Sequence, residues 1–184
     1  MRAPAPEMRG YFGIGVEGLS KPINAGNLFR SAHAFGASFL FAIDAVYNTR
    51  RDRADTSSAP EHLPLHEFAT PADLQLPTGC QLVGVELLDD SVDLPLFRHP
   101  SRAAYVLGPE KGSLSPDLLA RCDHVVKIPT RFCINVATAG AVIMYDRLLS
   151  LGKFGRRPVW TGGVPEDRPD HVQGAQKVRQ KRAD

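Results

Sequence analysis

Ala103-Ala104-Tyr105-Val106-Leu107-Gly108-Pro109-Glu110-Lys111-Gly112-Ser113-Leu114-Ser115-Pro116 changes character twice along its length. Ala103 to Leu107 is a short, unbroken apolar run, as expected of a buried strand. It runs straight into Gly108-Pro109-Glu110-Lys111-Gly112, a turn-rich loop whose small residues let backbone approach a ligand closely. Ser115 can then cap a helix that has Pro116 at its first position, a favourable arrangement. Strand, tight loop and helix make the repeating unit of a parallel α/β sheet, in which ligands bind beyond the carboxyl ends of the strands.

The same alternation extends to both sides. Tyr11 to Val16 reads as a buried strand. Lys21-Pro22-Ile23-Asn24 is a turn, and Asn24 can cap the next helix, whose Leu28, Phe29, Ala32 and Phe35 fall at helical spacing before Gly36 ends it. Ser38 to Ile43 is a second strand, closing on Asp44. Residues 48–62 are polar, basic and turn-prone and read as a surface loop. Leu65 to Phe68 predicts a short strand, Pro71 to Leu76 a helical turn, Gln81 to Leu87 a strand and Val125 to Ile128 another. Asn135 begins the longest helix, through about Leu151, on an apolar stripe of Val136, Ala139, Gly140, Ile143, Met144 and Leu148, with Gly152 at its end. A short helix is expected at Gln173 to Lys181. There is no internal repeat. The fold class is therefore α/β, a mainly parallel sheet with helices on both faces. The expected organisation is a loose segment at 1–10, one domain at 11–154 and a basic tail at 155–184.

At 184 residues with 43% hydrophobic and 23% charged residues, the chain is composed like one soluble globular domain with room for a core. Cys80, Cys122 and Cys133 are odd in number and lack CxxC spacing, which argues against a disulfide framework or a zinc site and fits a reducing cytoplasm. Met1 to Gly10 has arginines but no apolar core, unlike a signal peptide. No stretch approaches the ~20 apolar residues of a membrane span. Net charge is only +2, yet from Lys153 onward eight Lys/Arg stand against four Asp/Glu. A second basic group, Arg50, Arg51 and Arg53, lies in the 48–62 loop. Such clusters attract phosphate groups by counterion release or are simply solvated.

Three separated segments complete the reading: Asn24-Ala25-Gly26-Asn27-Leu28-Phe29-Arg30, Leu107-Gly108-Pro109-Glu110-Lys111-Gly112-Ser113-Leu114-Ser115, and Ile128-Pro129-Thr130-Arg131-Phe132-Cys133-Ile134-Asn135-Val136-Ala137. In this order and spacing they resemble the signature motifs of the SpoU (TrmH-like) branch of the SPOUT RNA methyltransferases, over about Gly13 to Leu151. The resemblance implies S-adenosylmethionine-dependent transfer of a methyl group to an RNA ribose 2′-hydroxyl, with tRNA the favoured substrate and rRNA the other. It implies an α/β knot with a deep C-terminal trefoil, and a homodimer with the last long helix in its interface. It places Arg30 where it would favour the developing alkoxide, and Asn27, Glu110 and Asn135 as the other builders of the catalytic site. A permanently charged guanidinium suits that role. Gly108, Ile128, Cys133 and, more loosely, Val85 with Glu86 fall at cofactor-contact positions. Similar proteins usually carry Ser at the position of Cys133, and a thiol is the weaker hydrogen-bond partner. The loop Thr130 to Phe132 is also shorter than in many members.

Other readings compete. Asn27 and Arg30 alone would pass for polar residues of an exposed helix face, and Gly108 to Gly112 for an ordinary turn. The fold without turnover would make an RNA-binding protein. Gly13-Ile14-Gly15-Val16-Glu17-Gly18 matches GxGxxG, and Asp44 closes the next strand, as an NAD-dependent oxidoreductase would need. Against that, Gly13 lies inside the first strand and the helix begins well after Gly18. Cys133 as a nucleophile lacks a neighbouring His. His62 and His66 have a metal-like spacing, but Pro64 between them opposes a helix, and both read as surface residues.

Overall fold

A computed structural model describes residues 10–18, 21–44, 62–109, 112–152, 161–162, 172–173 and 177–178. The basic groups at 50–53 and most of the tail, together with Glu110 and Lys111, lie outside the described residues. Seven strands form one sheet: β1 (Tyr11–Glu17), β2 (Phe39–Ile43), β3 (Leu65–Phe68), β4 (Gln81–Val85), β5 (Val92–Asp93), β6 (Arg102–Leu107) and β7 (His124–Lys127). Their order is β3-β2-β1-β6-β4-β7-β5, and every neighbouring pair is parallel. The helices are α1 (Pro22–Ala34), α2 (Pro116–Leu119) and α3 (Val136–Leu151). Among the described residues no helix is long and apolar enough to cross a membrane.

Alternation along the strands sorts the core into two layers. Phe12, Ile14 and Val16 of β1, with Ala103, Tyr105 and Leu107 of β6, pack under α1 and α3. Phe39, Phe41 and Ile43 of β2, with Ala104 and Val106 of β6, face Leu114 and Leu118 around α2. This second face explains the glycines of the GxGxxG match. Gly13 and Gly15 lie inside β1, in register with Phe39 and Phe41. A Cβ at either position would run into the ring of its partner. They are slots for two aromatic rings in the middle of a sheet rather than a phosphate-binding turn.

The opposite layer has its own small residue. A Cβ on Gly140 of α3 would collide with Leu28 of α1, so this glycine sets how closely the two helices approach. The α3 stripe is buried as expected at Val136, Ala139, Gly140, Ile143 and Met144, and it continues to a fully buried Arg147. Arg147 lies where the strands begin. Its guanidinium donates to the backbone oxygens of Tyr11, Pro100 and Ser101 and to the Tyr105 hydroxyl, and it stands 5.4 Å from the Phe12 ring centroid. The chain of polar groups continues: Tyr105 Oη is 2.6 Å from His99 Nδ1, and His99 Nε2 is 2.9 Å from Asp146 Oδ2. Arg147 supplies only donors and Asp146 only acceptors. The consistent arrangement is a neutral imidazole that accepts from Tyr105 and donates to Asp146. Burial lowers the His99 pKa despite Asp146, and pushes the Tyr105 phenol up to about 12.

Three expectations are corrected. Asn24 does not cap α1: the helix begins at Pro22 after an extended Lys21 that makes no side-chain cap, because Pro at the first position presets φ and has no N–H to satisfy. The turn at Pro71 closes at Asp73, under a capping box from Thr70. In place of a helix from Gln173, β8 (Val172–Gln173) and β9 (Lys177–Val178) pair antiparallel. Gly174 opposes a helix there, and β-branched Val172 and Val178 favour strand.

Candidate functional site

A cleft of about 200 Å³ opens beyond the carboxyl ends of β4, β6 and β7. One ordered water needs roughly 10–15 Å³ on such a measure, so the space admits a nucleoside-sized ligand. Its floor is apolar: Val85 ends β4, Leu107 ends β6, and Val136 and Ala139 belong to the first turn of α3. Glu86-Leu87 forms one lip, Gly108, Pro109 and Gly112 another, and Ile128, Thr130, Cys133 and Ile134 the third. Apolar walls with a few fixed polar groups are the usual make-up of a cofactor site.

Val85, Gly108, Ile128 and Cys133, from three separated segments, all line this one cleft. Asn135 stands beside it as the N-cap of α3. Its Oδ1 accepts from the N–H groups of Ala137 at 2.9 Å and Thr138 at 3.3 Å. Its Nδ2 donates to Asn24 Oδ1 at 3.0 Å. Asn24, denied a capping role, thus ties the first turn of α1 to the first turn of α3. Asn27 and Arg30 follow on α1, both exposed, and neither lines the cleft. Glu110 falls outside the described residues, between Pro109 and Gly112 of the cleft wall. His66 lies on β3 and the His62 ring stacks on His33 at 4.9 Å, so the two do not share a helix face.

The motifs place Glu86 only loosely, beside Val85 at a cofactor-contact position, and give no role to Lys127 or the Thr130 hydroxyl. Glu86 Oε2 accepts from Leu114 N–H at 2.8 Å and Oε1 from Leu87 N–H at 3.0 Å. Lys127 Nζ donates to the carbonyls of Leu88 at 2.9 Å and Asp89 at 3.1 Å, fixing the lip that Glu86 begins. Thr130 builds the third lip: its N–H reaches Ile128 O at 2.7 Å and its hydroxyl reaches Phe132 O at 2.9 Å. A Cβ on Gly108 would sit 3.1 Å from Leu114 N, so any side chain there would force the loop or the end of β6 to give by a few tenths of an ångström. A basic residue aimed at loop carbonyls and a carboxylate aimed at loop amides are legible only in three dimensions.

A parallel sheet with a ligand cleft at the carboxyl ends of β4, β6 and β7 defines an α/β ligand-binding protein. The model of the SpoU rRNA Methylase family matches residues 12–145, and the chain belongs to this family. It is 30% identical over 139 residues to the tRNA (guanosine(18)-2'-O)-methyltransferase TARBP1 of Mus musculus, covering 70% of this chain and 9% of that protein. It spans 60% of the tRNA (guanosine(18)-2'-O)-methyltransferase of Escherichia coli (strain K12), at 26% identity over 71% of this chain. The chain is thus matched to less than two thirds of the length of either relative. Among solved structures it is similar to the SpoU methyltransferase AviRb from Streptomyces viridochromogenes in complex with AdoMet, with TM-score 0.69 and 24% identity over 78% of this chain and 62% of that one. A structure described as giving insight into 2-OH methylation of C/U34 on tRNA matches with TM-score 0.64 and 25% identity, over 78% of this chain and 97% of that one.

Proposed function

We propose that this protein is an S-adenosylmethionine-dependent RNA ribose 2′-O-methyltransferase, acting on tRNA as a cytoplasmic homodimer with the family's trefoil knot. The observation that carries the reading is the convergence of Val85, Gly108, Ile128 and Cys133 on one cleft. The cleft suits the cofactor: apolar walls for a nucleoside, a carboxylate at Glu86 beside a space for a cationic ligand, and loop backbone at Gly108 and Ile128. S-adenosylmethionine supplies, when bound, a methyl group already activated on a sulfonium. What remains for the chain is to bind, orient and desolvate.

In this reading Val85, Gly108, Ile128 and Cys133 hold the cofactor. Arg30 places a permanent charge near the ribose hydroxyl and favours its ionised form. Asn27, one turn earlier on the same exposed face, orients the ribose, and Glu110 is the further residue assigned to the catalytic site. Asn135 sets the angle between the α1 face and the cleft through Asn24. The tRNA assignment is supported by the activities named for the mouse and Escherichia coli relatives. The homodimer is supported by Val142 and Tyr145, exposed on α3 at helical spacing, and by Leu96, 80% exposed. The basic tail and Arg50, Arg51 and Arg53 contact RNA phosphates, and neutralising the tail flattens the salt dependence of RNA binding.

The test incubates the protein and Arg30→Ala with methyl-labelled S-adenosylmethionine and separated tRNA and rRNA. Label in tRNA that resists alkaline cleavage at the modified nucleotide, and is lost in the variant, is the expected result. Protection of exposed Cys133 from alkylation by S-adenosylmethionine checks the cleft independently of turnover. Cofactor and RNA binding without any transfer would support the RNA-binding reading instead. Protection by NAD alone would support the oxidoreductase.

A further inference from the structure

We propose that Glu17 and Glu86 are positioning residues, a pair of carboxylates that hold the loop between β6 and α2 in its ligand-binding shape from both sides. The inference rests on the methyltransferase reading of the cleft. It begins from topology: β6 lies between β1 and β4 in the sheet. Glu17 is the last residue of β1, and Glu86 follows the last residue of β4. The two side chains therefore flank the carboxyl end of β6, where the loop from Gly108 to Ser115 emerges.

They take hold of consecutive amides of that loop. Glu86 Oε2 accepts from Leu114 N–H at 2.8 Å, and Glu17 Oε2 accepts from Ser115 N–H at 2.7 Å. The Ser115 hydroxyl donates to Glu17 Oε1 while accepting from Leu118 N–H at 3.2 Å. The cap of α2 is thus fixed by the same carboxylate. Glu17 is only 6% exposed, and its position makes sense through these bonds. Glu86 also accepts from Leu87 N–H, so one side chain ties two lips of the cleft together. Hydrogen bonds to an ionised acceptor are shorter and about twice as strong as neutral ones. Gly108, Pro109 and Gly112, among the described residues of this loop, have no polar side chain with which to hold it.

The two carboxylates differ in how they tolerate a neutral isostere. Both oxygens of Glu86 face backbone N–H groups, which cannot turn round. A Gln there must aim its own NH₂ at one of them and lose a bond. One partner of Glu17 is a hydroxyl, which can rotate to accept from a Gln NH₂. Glu86→Gln is therefore the more damaging of the two conservative changes.

The experiment measures S-adenosylmethionine affinity by calorimetry, amide hydrogen exchange at Leu114 and Ser115, and thermal unfolding, on wild type, Glu17→Gln, Glu17→Ala and Glu86→Gln. Expected for Glu86→Gln are an affinity loss of about tenfold, corresponding to one lost charge-assisted bond, faster exchange at Leu114, and a thermal midpoint near wild type. Glu17→Gln is expected to lie between wild type and Glu17→Ala. Wild-type affinity and exchange in Glu86→Gln would overturn the proposal, as would a lowered midpoint with cofactor affinity unchanged. Failure of the wild type itself to bind S-adenosylmethionine would sink the methyltransferase reading. The exchange rates at Leu114 and Ser115 would still decide whether the clamp exists.

Discussion

Replacing Gly108 by alanine tests the packing of the β6 loop with a single methyl group. The new Cβ would stand 3.1 Å from Leu114 N, 3.4 Å from the Ser113 carbonyl carbon and 3.6 Å from Glu86 Oε2. Comfortable heavy-atom contacts lie near 3.5–4.0 Å, so something must retreat by a few tenths of an ångström. Two of the three atoms are backbone, and that backbone is held by Glu86 and Glu17 at 2.8 and 2.7 Å. If the loop yields, a bond to a charged acceptor weakens, at up to about 1.5–3 kcal/mol. If Gly108 itself yields, it moves toward the cleft, and overpacking of this kind costs about 1–3 kcal/mol. Either way about 1–3 kcal/mol is divided between stability and cofactor affinity. Taken wholly as affinity, that is roughly 5- to 150-fold in Kd. Urea unfolding and calorimetric titration with S-adenosylmethionine measure the two parts. Releasing the clamp should relieve the clash, so Gly108→Ala combined with Glu86→Gln falls short of additivity by at least about 0.5 kcal/mol. A variant within about 0.5 kcal/mol of wild type in stability and about twofold in Kd would refute the reasoning, as would strict additivity with Glu86→Gln.

Asn135→Ala removes the α3 cap and the bridge to Asn24 together and should cost about 1–2 kcal/mol, or about 2–8 °C in Tm. Asn135→Asp keeps the cap but cannot donate to Asn24, so its difference from wild type in thermal unfolding isolates the bridge, and its difference from Asn135→Ala isolates the cap. Stability should fall on both sides of a neutral plateau. The folded state holds the His99 pKa down, so below about pH 6.5 the unfolded chain takes up the proton first and native stability drops. Tyr105 is pushed up to about 12, so above about pH 10 the unfolded chain ionises first and stability drops again. Tm measured against pH shows both limbs, and Tyr105→Phe removes the alkaline contribution of that phenol. Phe132 is 74% exposed between two cleft residues, on the turn that Thr130 fixes. Phe132→Ala should weaken RNA binding by fluorescence anisotropy, by up to the ~1–3 kcal/mol of one stacked base, while leaving S-adenosylmethionine affinity unchanged. Phe132→Trp should retain the RNA affinity.

The elements were legible where one physical signal governs them. Ser115 caps its helix as read, and Asn135, read as the start of the long helix, proves to be its cap; a cap is a contact within three residues. The apolar runs of β1, β2, β4, β6 and β7 announce buried parallel strands for the same local reason. β5 escaped notice because two residues, Val92 and Asp93, have no periodicity to detect. The glycine pattern at 13–18 misled differently. A glycine that admits a phosphate and one that admits a phenyl ring look alike until the neighbouring strand is known, and the rings here come from Phe39 and Phe41. Val85, Gly108, Ile128 and Cys133 fall on one cleft because the family's order of motifs carries three-dimensional information that no single segment contains.

The residues that hold those motifs in place are hidden for a further reason. Glu17 meets Ser115 across 98 residues of sequence and Glu86 meets Leu114 across 28. Arg147 reaches Tyr11 across 136 and Tyr105 across 42. Each is a charged residue at the end of an element or on a helix stripe, where solvation is the ordinary explanation. What distinguishes them is the direction of their partners. Glu17 and Glu86 meet backbone donors that a loop cannot satisfy internally, and Arg147 meets backbone acceptors left at the starts of strands. At the carboxyl ends Glu17 and Glu86 accept from loop amides beside the cleft, while Lys127 donates to the carbonyls of its lip. Arg147 supplies donors at the amino ends, where it secures α3 to the sheet. α3 is thus held at the cleft by Asn135 and at the far end by Arg147. A change at Arg147 should therefore register in thermal stability before it registers at the cleft, whereas a change at Glu86 should do the reverse.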